Sequence, residues 1–270
     1  YNSKLWSKVG KSGLERVYEQ KLQGEHGKRF FQRNARGDRR VITDISPFRE
    51  GEELLISIDF EAQKLAYDLM KDRKGSVVVI DLDDFSIPVA ISTPSISAND
   101  LRDISSLQYQ DLLNDPARPL FNRAFMGLYP PASTIKPLLT VFALNNGYTN
   151  WDETIFDDGF FRFEEEERVF NAWREGGHGL TDLKKALVES SNPFFMNLSI
   201  RYEKNLFVEF LKSSSFGSKL CEDCYPHQFS PLIDDDWKYK NFGKELYKGD
   251  FINLGVGQGY MLTTPLHLSL

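Results

Sequence analysis

Tyr129-Pro130-Pro131-Ala132-Ser133-Thr134-Ile135-Lys136-Pro137 sets two prolines ahead of a small residue and a serine, with a lysine three positions further on. Mostly apolar residues then run to Leu144, so the spacing predicts a helix over 133–145 that opens at Ser133. Positions three apart share a helix face, which lets the Ser133 hydroxyl and the Lys136 amine approach each other. A serine is a poor nucleophile until a base takes its proton, and a neutral lysine can be that base. An ordinary lysine near 10.4 has to fall by about three pKa units to be half neutral at pH 7, at a cost of roughly 4 kcal/mol. A helix N-terminus and apolar neighbours push it in that direction. By itself the pattern equally describes a serine N-cap followed by a solvated lysine, and it is common by chance.

A second element follows further along, where Ser190-Ser191-Asn192 ends a helix predicted over 182–189. Alone it describes a polar helix end, with Asn in a left-handed cap and Pro193 stopping the helix. Joined to Ser133 and Lys136, it supplies what serine acyl transfer needs: a hydroxyl to relay the proton and an amide to hold a substrate carbonyl.

Composition narrows the classes. The 270 residues carry 33 Lys+Arg against 39 Asp+Glu, a net charge of −6, which is the wrong sign for a nucleic-acid partner. With 41% hydrophobic and 13% aromatic residues the chain buries a core and is not wholly disordered. Its length suits one large domain or two smaller ones. No stretch approaches the roughly 18 apolar residues of a membrane span. The start at Tyr1 has neither an initiator Met nor a signal-peptide apolar run, and Thr264-Pro265 opens a helix close to Leu270. The expectation is an internal piece of a longer protein.

Residues 1 to about 50 are basic and turn-rich, with one helix predicted over 13–22. The texture changes near residue 50, where a domain boundary is expected. A strand over 54–58, a helix over 60–71 capped by Asp59, and strands over 75–81 and 88–92 around an Asp83-Asp84 turn follow. Residues 94–130 form a connecting region with short helices, 151–174 an acidic loop or hairpin, and further helices span 193–202 and 206–213. The pattern is α+β, without an internal repeat.

On these motifs the chain resembles the class B penicillin-binding proteins, among them the elongation-type penicillin-binding protein 2 family, whose superfamily motifs are Ser-x-x-Lys, Ser-x-Asn and Lys-Thr-Gly. Asn114-Asp115-Pro116, Pro119-Leu120, Asn122-Arg123-Ala124 and Gly127-Leu128-Tyr129-Pro130-Pro131 resemble that family's approach to its nucleophile. Trp173 with Gly177-His178-Gly179 resembles the stretch before its second motif. Gly255-Val256-Gly257-Gln258-Gly259-Tyr260 with Thr264-Pro265 resembles a later signature, and Gly10-Lys11-Ser12-Gly13-Leu14-Glu15 with Leu22, Gly24 and Gly27 the membrane-proximal pedestal. The resemblance covers nearly the whole chain.

It implies a penicillin-binding, serine β-lactamase-like fold: an antiparallel sheet flanked by helices plus an all-helical lobe, incomplete at the C-terminus. Residues 1–50 would be the end of the pedestal and 51–270 the transpeptidase domain. Ser133 would be the nucleophile acylated by a D-Ala-D-Ala stem peptide, Lys136 the base, Ser190 a proton relay and Asn192 the substrate-orienting amide. The Ser133 N–H would supply half of an oxyanion hole. The acyl-enzyme would pass to the amine of a neighbouring stem peptide, cross-linking peptidoglycan during cell-wall elongation, and β-lactams would be trapped at Ser133. Implied partners are a lipid-linked glycan polymerase and a periplasmic rod-shape scaffold protein. The location would be the inner membrane, through an N-terminal anchor outside this chain, with the domain in the periplasm. A D,D-carboxypeptidase or β-lactamase on the same fold, or a non-catalytic β-lactam sensor or scaffold, are the alternatives.

The sequence departs from the pattern in one respect. No Lys-Thr-Gly or Lys-Ser-Gly follows Asn192, so that motif is expected beyond Leu270 and the activity of this piece alone is in question. No cofactor or metal is expected. Some relatives hold zinc near the active-site rim through Asp, His and Cys; Asp157 and His178 match two of those places, whereas Ala172 and Ser191 stand at the other two. Cys221 and Cys224, near Asp223 and His227, fit a local disulfide or unpaired thiols, with metal a lesser alternative and redox catalysis a remote one. Residues 164–167 and 234–236 read as solvated loop charges, and Asp81, Asp83 and Asp84 as a hairpin turn.

Overall fold

The computed structural model describes residues 9–270 apart from 35, 38, 48 and 103. Two short helices open it, α1 (Gly13–Val17) and α2 (Glu19–Gln23), where one was expected. The break falls at Tyr18, whose backbone leaves the helical region at φ −103° and ψ 19° and whose hydroxyl donates to distant Asp223 at 3.0 Å. Strands β1 (Lys28–Arg33) and β2 (Arg39–Ser46) then pair antiparallel inside the segment read as turn-rich, where no strand was expected.

Residues 54–58 do not form the expected strand. The Ser57 hydroxyl bonds both the N–H and the C=O of Ile87, and the Asp59 N–H donates to Pro88, but no continuous backbone ladder forms. Leu55 is 98% exposed and Ile56 is exposed as well, so little burial holds the segment as a strand.

Helix α3 (Phe60–Met70) is capped as expected, the Asp59 carboxylate accepting from the Ala62 N–H at 2.9 Å. β3 (Gly75–Val79) and β4 (Val89–Thr93) pair antiparallel, with Val79 opposite Val89. In the turn joining them the Asp81 and Asp84 carboxylates accept from the N–H groups of Asp83 and Ser86. Short helices α4 (Ala98–Arg102), α5 (Ser106–Asn114) and α6 (Arg123–Met126) punctuate the connecting region. The buried Arg123 guanidinium donates to the carbonyls of Ala117, Arg118 and Phe121, closing the proline-rich loop before α6.

One 3₁₀ turn, Ala132–Ile135, runs directly into α7 (Lys136–Asn145). β5 (Thr154–Asp157), β6 (Phe160–Phe163), β7 (Arg168–Asn171) and β8 (Gly179–Asp182) make two antiparallel pairs, β5 with β8 and β6 with β7. The chain ends in helices α8 (Leu183–Val188), α9 (Asn192–Ser199), α10 (Lys204–Ser213), α11 (Asp235–Phe242), α12 (Lys248–Leu254) and α13 (Pro265–Ser269). Pro193 stands in the first turn of α9, at the start of the helix expected over 193–202, where its missing N–H costs nothing. One expectation changes here. Residues 234–236 are not a solvated loop: the Asp234 carboxylate caps α11, and Asp235 accepts from the Leu246 N–H and pairs with Lys204.

The core lies among the helices. Leu139 and Phe142 of α7, Phe195 and Leu198 of α9, Phe207 and Leu211 of α10 and Ile252 and Leu254 of α12 are all buried, and the Phe142, Tyr202 and Phe207 rings meet at centroid distances of 5.0–5.6 Å. Each such side chain stabilises the fold by about 1.5–3 kcal/mol. α7 is thereby fixed by its apolar faces, and its first turn is held against α9. Among the described residues no helix is long and apolar enough to cross a membrane.

Candidate active site

Ser133 does not cap α7. It lies inside the 3₁₀ turn with an exposed side chain, which leaves its hydroxyl free for other partners. The turn is held from beneath: the Ala132 N–H donates to the Gly257 carbonyl at 2.9 Å, and Tyr129 and Thr263 exchange both backbone hydrogen bonds. At Gly257 φ is +68° and an added Cβ would stand 2.2 Å from the Ala132 oxygen, so only glycine lets the two backbones approach. Ala132 itself is left-handed, at φ +49°.

Lys136 is 1% exposed, and its ammonium meets three acceptors: the Ser190 carbonyl at 2.9 Å, the Ser190 hydroxyl at 3.2 Å and Asn192 Oδ1 at 2.8 Å. The Ser190 hydroxyl in turn donates to Ser133 Oγ at 2.9 Å. All four residues singled out in the sequence therefore meet, though the link from Ser133 to Lys136 passes through Ser190 instead of running along one helix face. Burial pushes the Lys136 amine down to about 8, against the opposing pull of the Asp157 carboxylate. That is most of the fall the chemistry requires, and it leaves about a tenth of Lys136 neutral at pH 7. The Phe195 ring, 5.2 Å from the nitrogen, forms an apolar wall beside it.

The arrangement suits proton relay. While Lys136 is charged, it donates to the Ser190 hydroxyl and that hydroxyl donates to Ser133, so both hydrogen bonds of this chain point toward Ser133. Once Lys136 is neutral, the same chain can run in reverse and carry the Ser133 proton inward. The left-handed residue of the second motif is Ser190, at φ +56°, and not Asn192. That backbone turns the Ser190 hydroxyl and carbonyl to the lysine, a strained conformation of the kind that clusters at active sites.

The penicillin-binding protein transpeptidase domain matches residues 75–269, and the penicillin-binding protein dimerisation domain matches residues 2–55. The chain belongs to the penicillin-binding protein transpeptidase family. As a family member it is 37% identical over 264 residues to the peptidoglycan D,D-transpeptidase MrdA of Haemophilus influenzae, covering 97% of this chain and 40% of that protein. It resembles Pseudomonas aeruginosa PBP2, solved in complex with WCK 5153, at a TM-score of 0.84 and 28% identity, covering 96% of this chain and 54% of that one. Helicobacter pylori PBP2, solved in a complex with MreC, gives a TM-score of 0.84 and 30% identity over 96% of this chain and 49% of that one. The chain spans about two fifths of the length of the curated relative.

This penicillin-binding fold places Asp157 at the end of β5, fully buried, below the second motif. Its carboxylate accepts from the Gly159 N–H at 2.9 Å, the Ser191 hydroxyl at 2.6 Å and His178 Nδ1 at 2.8 Å. Burial opposes its charge, but the hydrogen bonds from Ser191, His178 and Gly159 outweigh it and hold the carboxyl below its ordinary value. At Gly177 φ is +66° and an added Cβ would stand 2.2 Å from the backbone carbonyl oxygen of Asp157, so only glycine lets this turn pass so close to the end of β5. Zinc does not fit this cluster. Ala172 has no donor atom, Ser191 brings a hydroxyl already bonded to Asp157, and two ligands fall short of the roughly four zinc takes. Cys221 and Cys224 form a disulfide, which leaves neither sulfur as a thiolate ligand. No local pattern joins Asp157 to the second motif; the one signal was the resemblance that set Asp157, His178 and Ser191 at places of a single zinc site of relatives.

Proposed function

We propose that this chain is part of a peptidoglycan D,D-transpeptidase that cross-links stem peptides through an acyl-enzyme at Ser133 during cell-wall elongation, and that β-lactams acylate the same serine. The observation that carries this reading is the Ser190 hydroxyl, within hydrogen-bond reach of both Ser133 Oγ and Lys136 Nζ. Ser133 Oγ attacks the carbonyl carbon of the penultimate D-Ala while its proton passes through Ser190 to neutral Lys136. The C–N bond to the terminal D-Ala breaks, the departing nitrogen takes the proton back, and D-Ala leaves. The amine of a neighbouring stem peptide then attacks the ester carbonyl, forming the cross-link and restoring the Ser133 hydroxyl. Asn192 presents its amide toward the substrate, and the Ser133 N–H forms half of an oxyanion hole. A β-lactam follows the first half, but its broken C–N bond lies in a ring, so the leaving nitrogen stays attached.

Residues 1–50 form the end of a pedestal and 51–270 the transpeptidase domain, a division supported by the change in texture near residue 50. The complex of Helicobacter pylori PBP2 with MreC supports a scaffold protein of that kind as a partner. A lipid-linked glycan polymerase is the second partner, on the family resemblance. The whole protein is anchored in the inner membrane with this part in the periplasm.

The test is labelling of the full-length protein with a fluorescent penicillin, with and without Ser133→Ala, alongside assay of D-Ala release and cross-link formation on stem peptides. Stable, Ser133-dependent labelling with amine-dependent cross-linking is expected. Rapid loss of the label would instead indicate a β-lactamase, and no Ser133-dependent label would overturn the reading.

A further inference from the structure

The acyl-transfer chemistry uses Ser133, Lys136, Ser190 and Asn192, yet Ser191, between two of them, points the other way. Its hydroxyl is fully buried and occupied twice: it donates to Asp157 Oδ2 at 2.6 Å and accepts from the Phe194 N–H at 3.3 Å, capping α9. We propose that Asp157 is a positioning residue for the acylation site, gripping Ser191 so that the flanking Ser190 and Asn192 are held on Lys136. This rests on the function proposed above and names a part of the machinery that does not touch substrate.

Three observations support it. Ser190 is left-handed without being glycine, a conformation that persists only where its surroundings hold it. The residue next to it carries the short bond to Asp157, and its own N–H donates to the Ala186 carbonyl at 2.9 Å, so Ser191 is fixed at both backbone and side chain. Asp157 is in turn fixed by partners from separate segments, Gly159 after β5 and His178 before β8, and the His178 N–H donates back to the Asp157 carbonyl at 3.1 Å. A fully buried carboxylate is expensive unless its oxygens are bonded, and one of its three hydrogen bonds goes to the middle residue of the motif.

The closing experiment measures acylation of the full-length protein by a fluorescent penicillin under single-turnover conditions, separating the saturating rate from the Kd of the preceding complex. Parent, Ser191→Ala, Asp157→Ala and the double variant are compared at equal active-site occupancy, with thermal unfolding followed in parallel. Ser191→Ala is expected to lower the saturating rate about tenfold or more with Kd changed less than about threefold, because the acylating groups move while the binding surface stays. The double variant is expected to be no slower than Asp157→Ala, as two residues acting through one bond are not additive. If Asp157→Ala does not fold, Ser191→Ala, which removes a single oxygen, carries the test against parent. A folded Ser191→Ala protein that acylates as fast as parent overturns the positioning role and leaves the proposed function intact. A parent protein that forms no penicilloyl adduct overturns both.

Discussion

The Ser190 hydroxyl donates to Ser133 Oγ at 2.9 Å while accepting from Lys136 Nζ at 3.2 Å, so a residue of the second motif bridges the serine and the lysine of the first. Removing that step separates relay from strain. Ser190→Gly deletes the hydroxyl and also relieves a left-handed backbone. The expected outcome is a protein about 1 kcal/mol more stable, by thermal unfolding, whose acylation by penicillin is roughly 10²–10⁴-fold slower. Lower stability together with unchanged acylation would refute the assignment of Ser190 as relay.

Acylation is expected to be slow in acid and to rise about tenfold per pH unit until it levels near pH 8. The Lys136 amine, brought down to about 8 by its burial, must be neutral to accept the proton. Stopped-flow acylation between pH 5.5 and 9.5 checks this. A profile flat across that range would sink Lys136 as the base.

The same lysine works against stability at neutral pH. Its folded pKa lies below its unfolded value of 10.5, so the unfolded chain binds more protons between the two. The penalty is fully present below pH 8 and is relieved as pH climbs from about 8 toward 10.5; it amounts to roughly 3 kcal/mol. Lys136→Met is therefore expected to abolish acylation and to raise the denaturation midpoint at pH 7. That gain should vanish by about pH 10.

Gly257→Ala tests the floor of the nucleophile turn. The new Cβ would meet the Ala132 oxygen at 2.2 Å from a left-handed backbone, so one of the two segments must move. A loss of about 1–3 kcal/mol is expected, with slower acylation of the folded fraction because Ala132 adjoins Ser133. Wild-type rates at wild-type stability would show that the turn does not lean on Gly257.

A buried ion pair anchors the same segment. Lys238 Nζ lies 2.7 Å from both Asp250 oxygens and 3.1 Å from the Tyr260 hydroxyl, with the lysine fully buried. Lys238→Met alone is expected to cost about 3–5 kcal/mol, since Asp250 is left charged and unpaired. Lys238→Met with Asp250→Leu should recover most of that in urea unfolding. Equal damage from single and double variants would argue against the pair as the cause.

Much of this molecule was legible along the chain. The cap at Asp59, the β3–β4 hairpin and the helices near residues 136, 183, 204 and 265 follow from apolar spacing and local caps, which neighbouring residues settle among themselves. Strand 54–58 failed because a strand needs a backbone partner, and apolar alternation does not say whether one is present. The helix over 13–22 divides at Tyr18, whose hydroxyl bonds to Asp223, a residue no local pattern could name.

The identities of the proposed reacting groups belong to the sequence alone: Ser133, Lys136, Ser190 and Asn192 stand in two short motifs, and the proposed acyl transfer requires those side chains. Their working arrangement belongs to the tertiary structure. Helix periodicity implied a direct approach of Ser133 and Lys136, but the 3₁₀ turn and the left-handed Ser190 interpose a second hydroxyl. The depressed pKa of Lys136 arises from burial, and burial depends on how α7 and α9 pack. Asp157 likewise meets Ser191 only because β5 and β8 pair beneath α9. Local spacing fixes which atoms a segment offers; through-space contact, which sums over the whole fold, decides where they meet.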